Sequence, residues 1–297
     1  MRIFSKIIVA SSLFLVASFQ TETLYAQNKS VKMTNPLLQK STLQYQAPTF
    51  DLIKDEHFKP AFEYGLKIHD QEIEKIANNP AKPTFQNTVL ALETSGVDLG
   101  RATGIFYNLS GANTNPVLQA IDEEYSPIFS AHNDKIYLNS KLYNRFKALN
   151  IAALKGEDKK LTQYYLQQFE LAGANLSVAD KDKMKKINEE LASLSTSFNN
   201  KLLIARKNGA VLFDNVNDLA GLSADEIAAA KAKATEAGQD GKYLIGLLNT
   251  TQQPLLQSLT NRATREKIYK ASWNRAEKND DGDTREVIER MARLRLQ

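Results

Sequence analysis

The chain has 297 residues, 42% of them hydrophobic and 24% charged, proportions of a folded globular protein that exclude a disordered chain. A formal net charge of +4 is too near balance to point to nucleic acid. With no cysteine in the sequence, disulfides, thiolate metal sites, thiol nucleophiles and a lipid-bearing cysteine are removed together.

Taken in chain order, residues 1–26 place Arg2 and Lys6 ahead of an apolar run over 7–19 and end on the small residue Ala26, the pattern of a secretory signal peptide. The run is too short for a membrane-spanning helix, which needs roughly 20 apolar residues. An exported, periplasmic chain without disulfides is the expectation. Residues 27–49 are polar, lack periodicity and read as a flexible tether, with ordered structure expected from about Phe50.

The segment 56–76 spaces Phe58, Phe62, Leu66, Ile73 and Ile76 as an amphipathic helix. Thr84 is positioned to cap the next helix, and Ser95-Gly96 to stop it. Turn residues over 111–116 precede helical patterns at 117–132 and 140–149. Two longer stripes follow, Leu161, Tyr165 and Phe169, then Met184, Ile187, Leu191, Leu194, Phe198 and Leu202. Their spacing predicts an antiparallel helical hairpin across the 173–177 turn. Strand-like sequence is confined to 211–213 and 243–248, flanking a helix opened by the Ser223/Glu226 capping box. The expected class is all-α with a small β element.

From Pro254 an apolar line through Leu255, Leu259, Ile268 and Trp273 predicts one helix carrying NRATREKIYKASWNRAE (261–277), with Trp273 as a packing anchor. Glu266 stands four residues from both Arg262 and Lys270. Arg265 and Arg275 have no such neighbour, which leaves a solvated face or carboxylates on a domain outside the chain. From Thr284, the stripe Val287, Ile288, Met291 and Leu294 predicts a last helix, and its lack of a stop signal before Gln297 suggests a chain cut within a larger protein.

Chemistry-bearing motifs are scarce. His57, His69 and His132 are the three histidines. None is spaced as in H-E-x-x-H, so structural histidines are expected and no metal site. Neither a G-x-S-x-G elbow nor a P-loop is present. The acidic run NDDGD (279–283) lacks EF-hand spacing, and Asp283 with Glu286 reads as a helix N-cap box. No catalytic or metal-ligating residue is assigned, and substrate-binding residues are unknown.

Several separated phrases are more specific: HFKPAFEYGL (57–66), PTFQNTVLALETSG (83–96), NTNPVLQAIDEEYSPIFSAHNDKIYLNSKLYNRFKAL (113–149), LAGLSADEIAAAKAKA (219–234) and PLLQSLTNRATREKIYKASWNRAE (254–277). In order and spacing, from about Phe50 to Gln297, they resemble the N-terminal half of the M3 family of zinc oligopeptidases, above all its bacterial peptidyl-dipeptidases. The resemblance implies a helical N-terminal lobe (50–297) of a two-lobed enzyme with a deep channel, and short unstructured peptides as substrates. It implies removal of C-terminal dipeptides by water activated on zinc, with the H-E-x-x-H ligands in a C-terminal catalytic lobe beyond Gln297. The 297 residues alone are then expected to be inactive and to bind no zinc. The alternative is a freestanding exported helical binding protein without catalysis.

Overall fold

A computed structural model describes residues 35–297, with 249–253 described for the backbone only. The leader expected over 1–26 and the first part of the tether lie outside the described residues. The chain divides into two compact units, Met1–Asn188 and Glu189–Gln297.

In the first unit, order begins before Phe50. Asn35 caps a 3₁₀ turn at Pro36–Leu38, accepting the Leu37 N–H at 3.0 Å and donating to the His57 carbonyl at 2.7 Å. Leu37 and Leu38 are buried, so part of the expected tether is anchored. Helix α1 (Phe58–Ala77) buries Phe58, Phe62, Ile73 and Ile76 of the expected stripe and half-buries Leu66. The Thr84/Asn87 capping box opens a π-helical turn, Phe85–Leu90, that runs into Ala91–Glu93. Gly96, at φ +69°, ends it.

The sequence pattern leaves 97–110 unassigned, yet α2 occupies Val97–Asn113. Its Leu99 fits against α1 because Gly65 lacks a side chain. A Cβ there would stand 2.8 Å from the Leu99 Cα. Helix α3 (Pro116–Tyr137) starts on the Asn115 cap with proline at its first position, and α4 (Ser140–Lys147) on the Asn139 cap. Phe106 meets Phe58 and Phe62 edge to face, as Phe129 meets Phe62, and Tyr125 lies tilted on Phe62.

Helix α5 (Gly156–Ala172) ends on Gly173, at φ +97°, and α6 spans Val178–Asn208 across the division between the units. The packed hairpin seam expected between them is not what buries α5. Phe169 packs on Phe146, Tyr143 and Tyr137, and Tyr165 on Phe146, while the six seam residues of α6 are only half-buried. Aromatic rings bury large areas and gain further from tilted ring-on-ring contacts, so this stripe packs on the aromatic residues of α3 and α4. Arg145, from α4, donates to the carbonyls of Asn79 and Ala81 and to Asn87 and Thr88, pinning the loop before the π turn.

In the second unit, β1 (Val211–Phe213) pairs antiparallel with β2 (Tyr243–Ile245), Val211 opposite Ile245 and Phe213 opposite Tyr243. Helix α7 (Ala224–Glu236) carries the expected Ser223/Glu226 box. The single helix expected from Pro254 is instead two, α8 (Asn249–Ser258) and α9 (Arg262–Trp273), with Pro254 inside the first. The break is specified locally. The Thr260 N–H donates to the Ala220 carbonyl at 2.9 Å, and Asn261 caps α9 by accepting from the Ala263 N–H at 2.9 Å. Helix α10 (Arg285–Arg295) buries Val287 and Leu294 and leaves Ile288 exposed.

Candidate functional site

Three residues of the 261–277 stretch behave differently from the expectation. Trp273 is 76% exposed and stacks on Tyr269 with ring centroids 5.8 Å apart, so it is no packing anchor. Arg265 donates to the carbonyls of Leu259 and Thr260 at 2.7 and 2.8 Å, satisfying the end of α8. Arg275 donates to the Ser272 carbonyl and hydroxyl. Both guanidiniums thus serve the backbone locally, a use that pair spacing along one helix does not reveal. In the acidic run, Asp283 accepts from the Asn279 and Arg285 N–H groups and pairs with the Arg285 side chain, which holds its carboxyl well below the usual range. Asp283 therefore organises the start of α10, with Arg285 in the place expected for Glu286.

In the first unit, a cavity of about 860 Å³ lies between the 36–57 segment and α2. Its floor is open because Gly100 and Gly104 have nothing within 4 Å of a would-be Cβ. Phe50 and Ile53 give it apolar walls, and Lys40, His57 and Arg101 a basic rim. Arg101 is paired with Asp98 at 3.1 Å. Such a groove can hold an extended ligand; of its lining groups, the Ser41 hydroxyl donates to the Ala47 carbonyl at 2.6 Å and His57 Nδ1 accepts from the Lys54 N–H at 3.1 Å.

The other two histidines meet although 63 positions separate them. His132 Nε2 lies 2.9 Å from His69 Nδ1, and His69 Nε2 lies 3.1 Å from Ser95 Oγ. His132 Nδ1 stands 2.9 Å from Asp70 Oδ1, off the line of an ideal hydrogen bond. Burial lowers the pKa of both imidazoles. For His69 the neighbouring His132 adds to that, and for His132 the Asp70 carboxylate opposes it. Helix α1 supplies His69 and Asp70, α3 supplies His132, and the turn closed by Gly96 supplies Ser95. No spacing rule brings these together; only the packing of α1 on α3 does.

These donors do not fit a zinc site. The facing nitrogens of His69 and His132 are spent on each other, and His57 Nδ1 accepts from the Lys54 N–H at 3.1 Å. Among the described residues no group of three or more His, Asp or Glu side chains is arranged to hold a metal ion, and no helix is long and apolar enough to cross a membrane.

No protein-family profile matches the chain. Dipeptidyl carboxypeptidase of Escherichia coli (strain K12) is 46% identical over 267 residues, covering 89% of this chain and 39% of that protein. The dipeptidyl carboxypeptidase of Salmonella typhimurium is likewise 46% identical, over 88% of this chain and 39% of its own length. Oligopeptidase A of Salmonella typhimurium is 29% identical over 89% of this chain and 39% of its own. By sequence, the chain resembles the M3 oligopeptidases. It spans about 39% of the length of these relatives, and the M3 likeness fits an N-terminal part of such a peptidase. Within the M3 group, identity is far higher to the dipeptidyl carboxypeptidases than to oligopeptidase A.

Proposed function

We propose that this chain is the helical, non-catalytic part of an exported M3 peptidase whose complete form removes C-terminal dipeptides from short, unstructured peptides. The observation that carries the reading is the contrast between 46% identity to dipeptidyl carboxypeptidases and 29% to oligopeptidase A over the same 89% of the chain. Export rests on the charged and apolar pattern of residues 1–26. Zinc, which in the complete enzyme would polarise the scissile carbonyl and activate water, would be held by residues beyond Gln297. The present residues would shape and wall the approach of the peptide. In that arrangement the exposed Tyr269–Trp273 stack and Ile288 are available to a catalytic lobe.

A freestanding exported binding protein is the second reading, favoured by the open, basic-rimmed cavity over α2. The purified 297-residue chain separates the two. Incubated with zinc and a set of N-blocked tri- and tetrapeptides, it is expected to release no dipeptide, to retain no stoichiometric metal after gel filtration, and to show no saturable peptide binding. Hydrolysis or stoichiometric zinc would overturn the non-catalytic assignment. Saturable peptide binding, lost on filling the cavity floor with Gly104→Leu, would favour the second reading.

A further inference from the structure

We propose that Asp70, His132, His69 and Ser95 form a one-proton switch, in which uptake of a single proton reverses the donor direction of the links from His132 to Ser95. The geometry permits two arrangements in which every link from His132 to Ser95 is hydrogen-bonded, with almost no movement of heavy atoms. Without the extra proton, every hydrogen points toward the carboxylate. The Ser95 hydroxyl donates to His69 Nε2, His69 Nδ1–H donates to His132 Nε2, and His132 Nδ1–H faces Asp70. The opposite neutral tautomer would aim the bare His132 Nδ1 at a carboxylate oxygen 2.9 Å away, and is disfavoured by that repulsion.

Adding one proton turns the chain round. His132 then carries both N–H groups, one toward Asp70 and one toward His69 Nδ1. His69 donates from Nε2 to the Ser95 oxygen, and the Ser95 hydroxyl turns to the Leu92 carbonyl. Both acceptors of that hydroxyl are in place, His69 Nε2 at 3.1 Å and the Leu92 carbonyl at 2.7 Å. A second proton has no seat, because two N–H groups would confront each other across 2.9 Å. The pair therefore titrates as a unit.

Charges from each neighbouring element bear on the proton. Helix α1 presents Asp70 and Glu72, the latter accepting the Gly96 N–H at 2.7 Å. Helix α3 presents Lys135, bound to Asp70 at 2.7 Å. Asp134 and, from α6, Lys185 line the same shallow pocket as Asp70. The Ser95–Gly96 turn brings no charge of its own; Glu93 before it accepts from the Tyr165 hydroxyl at 2.6 Å. Gly96 cannot yield, since a Cβ there would stand 2.7 Å from the His69 ring. Both imidazoles sit below their ordinary value through burial. The unfolded chain thus binds more protons near pH 6, and the contribution to stability is complete above about pH 6.5 and is lost as pH falls through the lowered folded value.

Imidazole ¹⁵N shifts of the whole chain, followed from pH 8 to pH 4.5, test the switch. The expected result is uptake of one proton by the pair with a midpoint below about 6.5. His69 Nδ1 should change from protonated to unprotonated as that proton enters, and no second proton should bind before unfolding. In Asp70→Asn the midpoint should fall by about one unit or more, because the facing anion is gone. Two independent titrations, a His69 Nδ1 that keeps its proton in acid, or an unmoved midpoint in Asp70→Asn would each overturn the proposal.

Discussion

Phe62→Ala is expected to destabilise the first unit by about 3–5 kcal/mol. The ring is fully buried, and its centroid lies 5.4 Å from Phe106, 5.1 Å from Tyr125 and 5.0 Å from Phe129. Its neighbours come from α1, α2 and α3, so the cavity left behind cannot close by shifting one helix. Urea denaturation, read by the tyrosine-rich first unit, should show an earlier midpoint at unchanged slope. A loss under about 1 kcal/mol would mean that this cluster is not the core of the unit, since such a value belongs to surface positions.

The second large effect is expected at Gly221. Its φ of +99° is a conformation that side-chain-bearing residues rarely adopt, and a Cβ would stand 2.1 Å from the Ser258 carbonyl oxygen. That oxygen is backbone and ends α8, so relief requires separating the 218–221 strap from the α8–α9 break. The strap is fastened there by Thr260 on the Ala220 carbonyl and by Thr264 on the Asp218 carbonyl at 2.8 Å. Gly221→Ala should cost about 3 kcal/mol or more, from backbone strain of roughly 1–3 kcal/mol with a comparable overpacking penalty. The Trp273 fluorescence transition should move to lower urea in this variant and stay in place in Phe62→Ala if the two units unfold separately. An unmoved tryptophan transition in Gly221→Ala would contradict the packing described for the second unit.

What could be read from the residues was whatever rests on short-range pattern. The α1 stripe, the Thr84 and Ser223 caps, the Gly96 and Gly173 stops and the strand at 211–213 depend on neighbours within a few positions, and each is present. Helix α2 escaped because Gly100, Gly104 and Gly111 mimic breakers. Each costs about 1 kcal/mol relative to alanine, which burial of Leu99, Ala102, Ile105 and Phe106 offsets. The division of α8 from α9 escaped because the apolar line runs on past Leu259, while the break is set by the distant Ala220 carbonyl and Gly221. Trp273 misled because size and helical spacing argue for burial, whereas its face of α9 is left exposed.

The candidate sites were less legible than the fold. The histidines could be judged unfit for a zinc helix by spacing, but the meeting of His69 with His132 and Ser95 depends on tertiary packing. The groove over α2 owes its floor to two glycines whose significance is the absence of anything above them. The likeness to the M3 peptidases was legible, because it depends on long phrases kept in order and not on any single reactive residue.

Whether the full-length product of the gene releases dipeptides from the C-terminus of short N-blocked peptides decides the proposed activity. The expected result is release two residues at a time, lost on chelation and restored by zinc. A full-length product that leaves such peptides intact, or that cuts them without releasing C-terminal dipeptides, would contradict it.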